Sequence, residues 1–338
     1  MRPERLRFLV IGCGSIGERH ISNLIALNME DILAFDVRSD RRGEVESRLG
    51  ITTLDNLEDA WGHRPDAALI TVPSSLHIPL ALQAAKHGCH LFIEKPLSDR
   101  LEGVDVLLEA VRERNLVTLV GCNMRFHPGL MQVKALIEGG AVGHVIAARV
   151  EVGQYLPDWH PLEDYRHAYS AQQDLGGGVI LDAIHEIDYV QWMLGEVQTV
   201  ACFAGKLSHL EIETEDTAAI LLRFVSGAIG EVHMDYVQRA YSRTCQIIGD
   251  EGTIRWDYTI DEVQWYSAAT REWQVFKNPS GWEPNQMYLD EMQHFLRCLA
   301  REEKPTLDVS EGARVLEVAV AAKASAKTGQ LMALRDYR

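Results

Sequence analysis

The chain has 338 residues, which at roughly 150 residues per domain predicts about two domains. Its 33 Lys and Arg against 49 Asp and Glu give a formal net charge of −16, which argues against nucleic-acid and anionic membrane partners. The six cysteines are scattered and form no C-x-x-C pair, which indicates free thiols in a cytoplasmic protein and no zinc or other metal site.

Short apolar strands alternate with helices through the first third of the chain. Strands are predicted at residues 7–12, 31–36, 51–53, 67–72, 90–94 and 117–121. The helices between them are predicted at residues 15–27, 40–49, 57–61, 75–87 and 101–114. Because the strands are mostly apolar and do not alternate, helices should cover both faces of their sheet. Residues 1–122 are therefore predicted to form an N-terminal doubly wound parallel sheet, the Rossmann arrangement of the α/β class.

The pattern changes after residue 122. Helices are predicted at residues 130–138, 182–194, 287–299 and 310–328. Between the second and third of these, strands are separated by turn sequences such as Ser226-Gly227 and Asp250-Glu251-Gly252, which are typical of hairpins. Residues 123–338 are therefore predicted to form a C-terminal α+β domain with antiparallel strands.

A glycine-rich turn follows the first predicted strand and opens the first predicted helix. The segment Gly12–Gly17 reads G-x-G-x-x-G, in which the glycines permit a tight turn, a close pyrophosphate and close packing of helix on strand. The helix N-terminus adds free N–H groups and positive potential. The turn predicts a dinucleotide site with backbone contacts from Gly12, Gly14, Ser15, Ile16 and Gly17.

An acidic residue ends the second predicted strand. Asp36 lies at about the 20-residue offset expected of the group that binds the adenosine ribose hydroxyls. A carboxylate there repels a 2′-phosphate, so NAD is predicted over NADP. Arg38, two residues later, could soften this preference.

A lysine follows the fifth predicted strand. That strand ends in Glu94-Lys95-Pro96, and Pro96 biases Lys95 away from helical conformation and holds it at the strand tip. Ligands of open α/β sheets bind beyond the carboxyl ends of strands, so Lys95 could face the nicotinamide and a substrate oxygen. Taken alone, such a lysine is more often a surface residue.

The fourth predicted strand ends in a second polar segment. It carries Thr71, Pro73 and Ser74, and His77 follows one turn later. These residues are expected around the nicotinamide ribose, at the same edge of the sheet as Lys95.

Three consecutive glycines precede the helix predicted at 182–194. The segment Gly176–Gly178 would let a ligand approach the backbone. On that helix Asp182 and His185 would share a face, so the aspartate could orient the imidazole and raise its basicity. The alternative is that Asp182 caps the helix and His185 makes an ordinary packing contact.

These motifs occur in one order, with Asn123-Met124-Arg125-Phe126 among them, and together they resemble the glucose-fructose oxidoreductase and inositol dehydrogenase (Gfo/Idh/MocA) family. The resemblance covers nearly the whole chain. It implies a Rossmann domain followed by a substrate-binding and oligomerisation domain on an open, mostly antiparallel sheet, which commonly forms homodimers or homotetramers. It also implies that Glu94 and Asn123 lie near the cofactor and Arg125 near the substrate.

The catalytic lysine and histidine of the family fall on Lys95 and His185. The family aspartate usually lies four residues before the histidine. Leu181 occupies that position here and Asp182 lies three residues before His185, so the role of Asp182 depends on the local helix geometry.

The resemblance implies an NAD-dependent oxidoreductase that interconverts a secondary alcohol and a ketone on a sugar, cyclitol or sugar derivative. His185 is expected to take the hydroxyl proton and Lys95 to bind the same oxygen, and the reverse assignment stays open. Two alternatives remain, namely an NAD-dependent glycosidase without net redox change and a non-catalytic NAD-binding regulator.

A polar and aromatic stretch before the glycine triplet suits a carbohydrate substrate. Its candidate contacts are Trp159, His160, Tyr165, Arg166 and Tyr169. Arg166, and Arg239 further along, could also meet a carboxylate or phosphate. Each could equally be a structural loop contact.

Overall fold

The computed structural model describes residues 6–159 and 164–334, which form two compact units. The first unit contains the described residues up to Asn123 together with Pro284–Arg314. The second contains Met124–Glu283 and the described residues from Val315 onward. The domain division expected at residue 122 did not include the return of residues 284–314 to the first unit.

The first unit is built on a six-stranded parallel sheet in the order β3-β2-β1-β4-β5-β6. Its strands are β1 (Phe8–Ile11), β2 (Ile32–Phe35), β3 (Thr52–Leu54), β4 (Ala67–Ile70), β5 (His90–Glu94) and β6 (Thr118–Gly121). Its helices are α1 (Ser15–Ala26), α2 (Ser39–Leu49), α3 (Leu57–Gly62), α4 (His77–Lys86), α5 (Val104–Arg114) and α9 (Asn285–Leu299). The strand order and direction confirm the predicted Rossmann sheet.

Helix α9 completes the core of the first unit. Met292 and Phe295 are fully buried in the same apolar cluster as the β1 and β5 side chains Phe8, Val10 and Phe92. The rings of Phe92 and Phe295 meet edge to face at 5.6 Å between centroids. The NAD-binding sheet therefore takes part of its core from a segment about 170 residues beyond its last strand.

The second unit is built on a nine-stranded sheet in the order β14-β13-β12-β11-β7-β10-β9-β8-β15. Its strands are β7 (Val145–Gly153), β8 (Val197–Gly205), β9 (Thr217–Phe224), β10 (Ile229–Asp235), β11 (Ser242–Gly249), β12 (Gly252–Asp257), β13 (Glu262–Ser267), β14 (Glu272–Lys277) and β15 (Met332–Ala333). Neighbouring strands run antiparallel except β7 and β10, which are parallel. The sheet confirms the expected mostly antiparallel α+β domain and its two hairpins.

Helices cover one face of this second sheet. They are α6 (Pro128–Glu138), α7 (Val179–Asp182), α8 (His185–Leu194) and α10 (Val309–Thr328), the last of which begins in the first unit. Burial alternates along β9, so that Ile220 and Leu222 are buried while Leu221 is 54% exposed. This period of two is the pattern of a sheet with one covered and one open face.

The helix predicted at 182–194 is wrong as a single element. The chain forms α7 up to Asp182, leaves helical geometry at Ala183, and starts α8 at His185. Asp182 and His185 therefore belong to two short helices, and the spacing argument for a shared face does not apply to them.

Within residues 6–159 and 164–334, none of the helices combines the length and apolar character needed to cross a membrane. The same residues contain no cluster of potential metal ligands. All six cysteines are buried and free. Burial raises the pKa values of four of these thiols to about 12, at Cys13, Cys89, Cys202 and Cys245.

Candidate active site

The glycine-rich turn joins β1 to α1 and leaves the helix N-terminus without a side-chain cap. Gly14 is the N-cap residue and has no side chain to accept from the first-turn N–H groups. A Cβ on Gly17 would lie 1.9 Å from the carbonyl oxygen of Gly12, so only glycine lets the helix start this close to the strand. The N–H groups of Ser15 and Ile16 open this uncapped first turn, where an anionic group is stabilised. The turn therefore fits the pyrophosphate of a dinucleotide.

Asp36 lies beside this turn, just after β2. Its Oδ2 accepts from the Cys13 N–H at 2.8 Å, and its Oδ1 accepts from the Arg38 N–H at 2.8 Å. Arg42 donates to the Asp36 carbonyl oxygen at 2.7 Å. These bonds fix the orientation of the carboxylate and leave further lone pairs on both oxygens for ribose hydroxyls.

The arginines after Asp36 differ in what they contact. The Arg38 guanidinium pairs with Asp40 at the surface, and this pair lowers the pKa of Asp40 to about 2. The Arg41 guanidinium instead stands over the turn, because a Cβ built on Gly14 would lie 3.3 Å from its Nη1. Arg41, which the motif did not single out, is the arginine that approaches the predicted pyrophosphate position.

The segment after β4 supports the glycine turn. The Thr71 hydroxyl lies 3.0 Å from the Ile11 carbonyl oxygen and 2.8 Å from that of Gly12. His77 has both ring nitrogens within 2.8 Å of backbone carbonyl oxygens, those of Pro96 and Val72. Its ring therefore ties together the tips of β4 and β5, and a direct contact with the cofactor stays a prediction.

The other residues predicted near the nicotinamide lie at the same carboxyl edge of the sheet. Pro73 and the buried Ser74 follow β4. Asn123, also buried, begins the single turn after β6. The structure thus gathers the predicted cofactor residues at one edge of the sheet, where the fold places a dinucleotide.

Lys95 lies at the carboxyl tip of β5, half-exposed, and its peptide bond to Pro96 is cis. Its own N–H donates to Glu94 Oε2 at 3.1 Å. The other oxygen of Glu94 lies 2.5 Å from Nε2 of His20, a fully buried histidine on α1. The carboxylate of Glu94, which precedes Lys95, therefore has a hydrogen-bond partner at each of its two oxygens.

Tyr288, on α9, also belongs to this neighbourhood. Its ring meets that of His20 edge to face, with 6.2 Å between centroids, and the Arg19 guanidinium lies 4.5 Å from its ring centre. Burial and the Glu94 charge raise the pKa of Tyr288, so its phenol stays protonated at neutral pH.

In the second unit, Asp182 is the acceptor of a buried cluster of hydroxyl groups. Ser170 donates to its Oδ2 at 2.7 Å and Tyr236 donates to the same oxygen at 3.1 Å, while Tyr169 donates to its Oδ1. Burial, together with the charge of Asp182, raises the pKa of Tyr236 well above its ordinary value. The structure therefore brings together Asp182 and Tyr169, both predicted near the substrate, and adds Ser170 and Tyr236, which the spacing did not indicate. A contact of these residues with the substrate stays a prediction.

One glycine of the triplet, Gly177, lets the backbone of Tyr169 and Ser170 pass close to it. A Cβ on Gly177 would lie 2.3 Å from the Tyr169 carbonyl oxygen and 2.6 Å from that of Ser170. Gly177 is thus required because the chain's own backbone passes too close for a side chain, whereas the sequence suggested that a ligand approaches there.

His185 begins α8 and is 8% exposed. The next residue, Glu186, is fully buried and forms an ion pair with Arg243 on β11, at 2.8 Å between Oε1 and Nε. Tyr189 also donates to Glu186, at 3.4 Å. The start of α8 is therefore fixed by a buried charge pair next to the histidine.

Arg125 forms a buried ion pair that the sequence did not indicate. Its Nε lies 3.1 and 3.0 Å from the two oxygens of Asp188, its Nη2 lies 2.7 Å from Oδ1, and the Asp188 side chain is fully buried. The guanidinium also lies 5.5 Å from the ring centre of Trp192. Arg125 thus has a structural role as the ion-pair partner of Asp188, and the expected substrate contact stays a prediction.

The polar and aromatic stretch divides between two environments. Trp159 packs edge to face on Tyr236 at 5.3 Å and so extends the Asp182 cluster, whereas Arg166 forms surface ion pairs with Asp164 and Glu211. Tyr165 accepts a bond from the Glu211 N–H at 3.3 Å. Arg239 lies over the Tyr155 ring at 3.5 Å. The candidate His160 lies outside the described residues.

Comparison with known proteins identifies the class. The model described as "Oxidoreductase family, NAD-binding Rossmann fold" matches residues 6–122, and that of the "GFO/IDH/MocA C-terminal domain" matches residues 130–255. The chain belongs to the Gfo/Idh/MocA family, as the resemblance predicted. It is an NAD-dependent oxidoreductase of the dehydrogenase type.

Two curated relatives match almost the whole chain. It is similar to a myo-inositol 2-dehydrogenase of Thermotoga maritima, with 28% identity covering 98% of this chain and 99% of the relative. It is also similar to a scyllo-inositol 2-dehydrogenase (NAD(+)) of Bacillus subtilis, with 27% identity covering 99% and 98%. Among solved structures, a levoglucosan dehydrogenase in complex with NADH and levoglucosan shares the fold, with a TM-score of 0.88, 23% identity and coverage of 98% and 100%.

Proposed function

We propose that the protein oxidises a secondary alcohol to a ketone, or reduces the ketone, on a sugar, cyclitol or sugar derivative, with Lys95 and His185 as the acid/base groups. The observation that carries the proposal is Lys95 at the carboxyl tip of β5, in the sheet whose first turn is built for a dinucleotide. The names of the relatives, which are inositol and levoglucosan dehydrogenases, support a polyhydroxylated substrate.

The residues of the turn and the strand tips would hold the cofactor. The first-turn N–H groups of α1 and the Arg41 guanidinium suit the pyrophosphate, and Asp36 suits the adenosine ribose. Bound there, NAD supplies a hydride acceptor, and NADH a donor, for the carbinol carbon. The fixed Asp36 carboxylate supports NAD over NADP.

The remaining chemistry is movement of one proton. In the oxidation, His185 takes the proton of the substrate hydroxyl, while the Lys95 ammonium donates a hydrogen bond to the same oxygen and stabilises its developing negative charge. The other hydroxyl groups of the substrate would form hydrogen bonds near Asp182 and its hydroxyl donors, which are Tyr169, Ser170 and Tyr236. In the reduction, the same groups return the proton.

The test is a screen of sugars and cyclitols with NAD, followed by reduced-cofactor absorbance and by product chromatography. Net NADH formation supports the proposal, and Lys95→Ala and His185→Ala should each lower its rate by about 10²–10⁴-fold. Bond cleavage without NADH would indicate a glycosidase. Tight NAD binding without any turnover would indicate a regulator, and native turnover in both variants would contradict the proposed residues.

We also propose that the open face of the second sheet joins two copies of the chain in a homodimer. In a homotetramer, two such dimers would associate. Phe203 is 85% exposed on β8, and Leu221 is exposed nearby on the neighbouring strand β9. Exposed apolar side chains grouped on one sheet face favour association. Leu221→Glu should convert the dimer to a monomer in light scattering coupled to size exclusion, and an unchanged mass would contradict this interface.

The six free buried thiols support a reducing compartment, the cytoplasm.

A further inference from the structure

A buried histidine connects the cofactor helix to the lysine strand. His20 lies on α1 with no exposed surface, packed edge to face on Phe92 at 4.8 Å between ring centroids. Its Nε2 lies 2.5 Å from Glu94 Oε1, and among the described residues its buried Nδ1 has no hydrogen-bond partner. The ring is therefore bound through one nitrogen only, and that nitrogen contacts Glu94.

Glu94 transmits this contact to Lys95. Glu94 is 7% exposed, and one oxygen of its carboxylate lies at the His20 imidazole while the other accepts a hydrogen bond from the Lys95 N–H at 3.1 Å. A buried carboxylate with both oxygens bound has little freedom to rotate. The backbone of Lys95 is consequently held at a fixed position relative to α1.

This arrangement has a cost that packing alone would not require. Apolar side chains at both positions 20 and 94 could fill the space beside Phe92 without burying a carboxylate or leaving an imidazole nitrogen unsatisfied. The neighbouring helix contacts are of that apolar kind, since Ile21 and Leu24 are fully buried on the same helix. The polar pair therefore calls for a reason other than stability.

We propose that His20 is a positioning residue, which acts through Glu94 to fix Lys95 relative to the turn that binds the dinucleotide. The inference rests on the proposed acid/base role of Lys95. A displacement of about 1 Å at a reacting group can lower a rate by about 10²-fold, so a loose Lys95 would slow the chemical step while the cofactor still binds.

The experiment compares His20→Leu, which removes the donor, with His20→Gln, whose side-chain amide can again donate to Glu94. His20→Leu should lower kcat by about tenfold to a hundredfold, with KM and the Kd for NAD within about threefold of native, and His20→Gln should recover most of kcat. Glu94→Gln, which keeps the side-chain size, should also lower kcat and serves if His20→Leu folds poorly. Fluorescence titration gives the Kd for NAD independently of turnover.

The matched control is His294→Leu. His294 is a second buried histidine of the same unit, and it also pairs with a glutamate, at 2.7 Å from Glu303. It lies on α9, and Glu303 belongs to the segment between α9 and α10. Its replacement should alter the unfolding temperature and leave kcat within about threefold of native.

A spectroscopic signature completes the test. In the native enzyme the Nε2–H proton of His20 should resonate far downfield in proton NMR because of its short bond to a carboxylate, and it should vanish in His20→Leu. Absence of this resonance, or native kcat in both His20→Leu and Glu94→Gln, would overturn the inference. If Lys95→Ala also kept native turnover, the proposed function would fail as well, whereas loss of turnover in Lys95→Ala alone would overturn only the role of His20.

Discussion

Replacement of Arg125 by methionine separates a structural role from a substrate-binding role. Arg125→Met keeps a long apolar stem but removes the guanidinium that pairs with the fully buried Asp188. The carboxylate is then left in the interior without its counter-ion. Breaking one side of a buried pair costs about 3–5 kcal/mol, so the free energy of unfolding should fall by about that amount.

Urea unfolding followed by circular dichroism measures this loss. The double variant Arg125→Met with Asp188→Leu removes both charges, and it should recover most of the stability that Arg125→Met loses. The kcat/KM of the folded fraction should stay within about threefold of native, because the guanidinium is occupied by Asp188. A KM raised by about tenfold or more, with unfolding within about 0.5 kcal/mol of native, would refute this reasoning and return Arg125 to the substrate site.

Other predictions concern the cofactor turn and the pH dependence. Asp36→Ser should weaken NAD binding by about tenfold to a hundredfold and reduce discrimination against NADP, as measured by the Kd for each; unchanged NAD affinity would contradict the assigned ribose contact. Gly17→Ala places a methyl group 1.9 Å from a carbonyl oxygen and should abolish NAD binding or folding, whereas Gly62→Ala, with nothing within 4 Å, should be neutral or stabilising in thermal unfolding. The hydrogen bond with Asp235 raises the pKa of His233, so the stabilisation is complete below the ordinary histidine pKa of about 6.5 and is lost as the pH rises through the raised value. His233→Gln should therefore remove up to about 1 kcal/mol of unfolding free energy near pH 6 and much less at high pH, and an equal loss at both would argue against the pair.

The sequence predicted most of the first unit because its signals are local. Apolar strands, a glycine turn and a strand-terminal lysine each lie within a few residues, and the parallel sheet brings their carboxyl ends to one edge. Asp36 and Thr71 lie at the glycine turn because their strands end at this same edge. Arg41 and His20 were missed, since their roles depend on where side chains of α2 and α1 point.

The second unit was harder to predict because its decisive contacts join distant residues. Arg125 and Asp188 are 63 residues apart, and Asp182 and Tyr236 are 54 apart, so no spacing pattern indicates them. The break at Ala183 involves neither proline nor glycine. It was concealed by side-chain spacing that suits a continuous helix.

The return of residues 284–314 to the first unit has a consequence for biosynthesis. A ribosome releases the chain from its N-terminus, and domains generally fold in that order. Here the six strands of the NAD-binding sheet emerge early, but Met292 and Phe295 of their core emerge only after almost the entire second unit has been made. The unit that comes first in the chain is therefore expected to reach its native state late, and an N-terminal fragment ending near residue 123 should expose apolar surface that α9 covers in the intact protein.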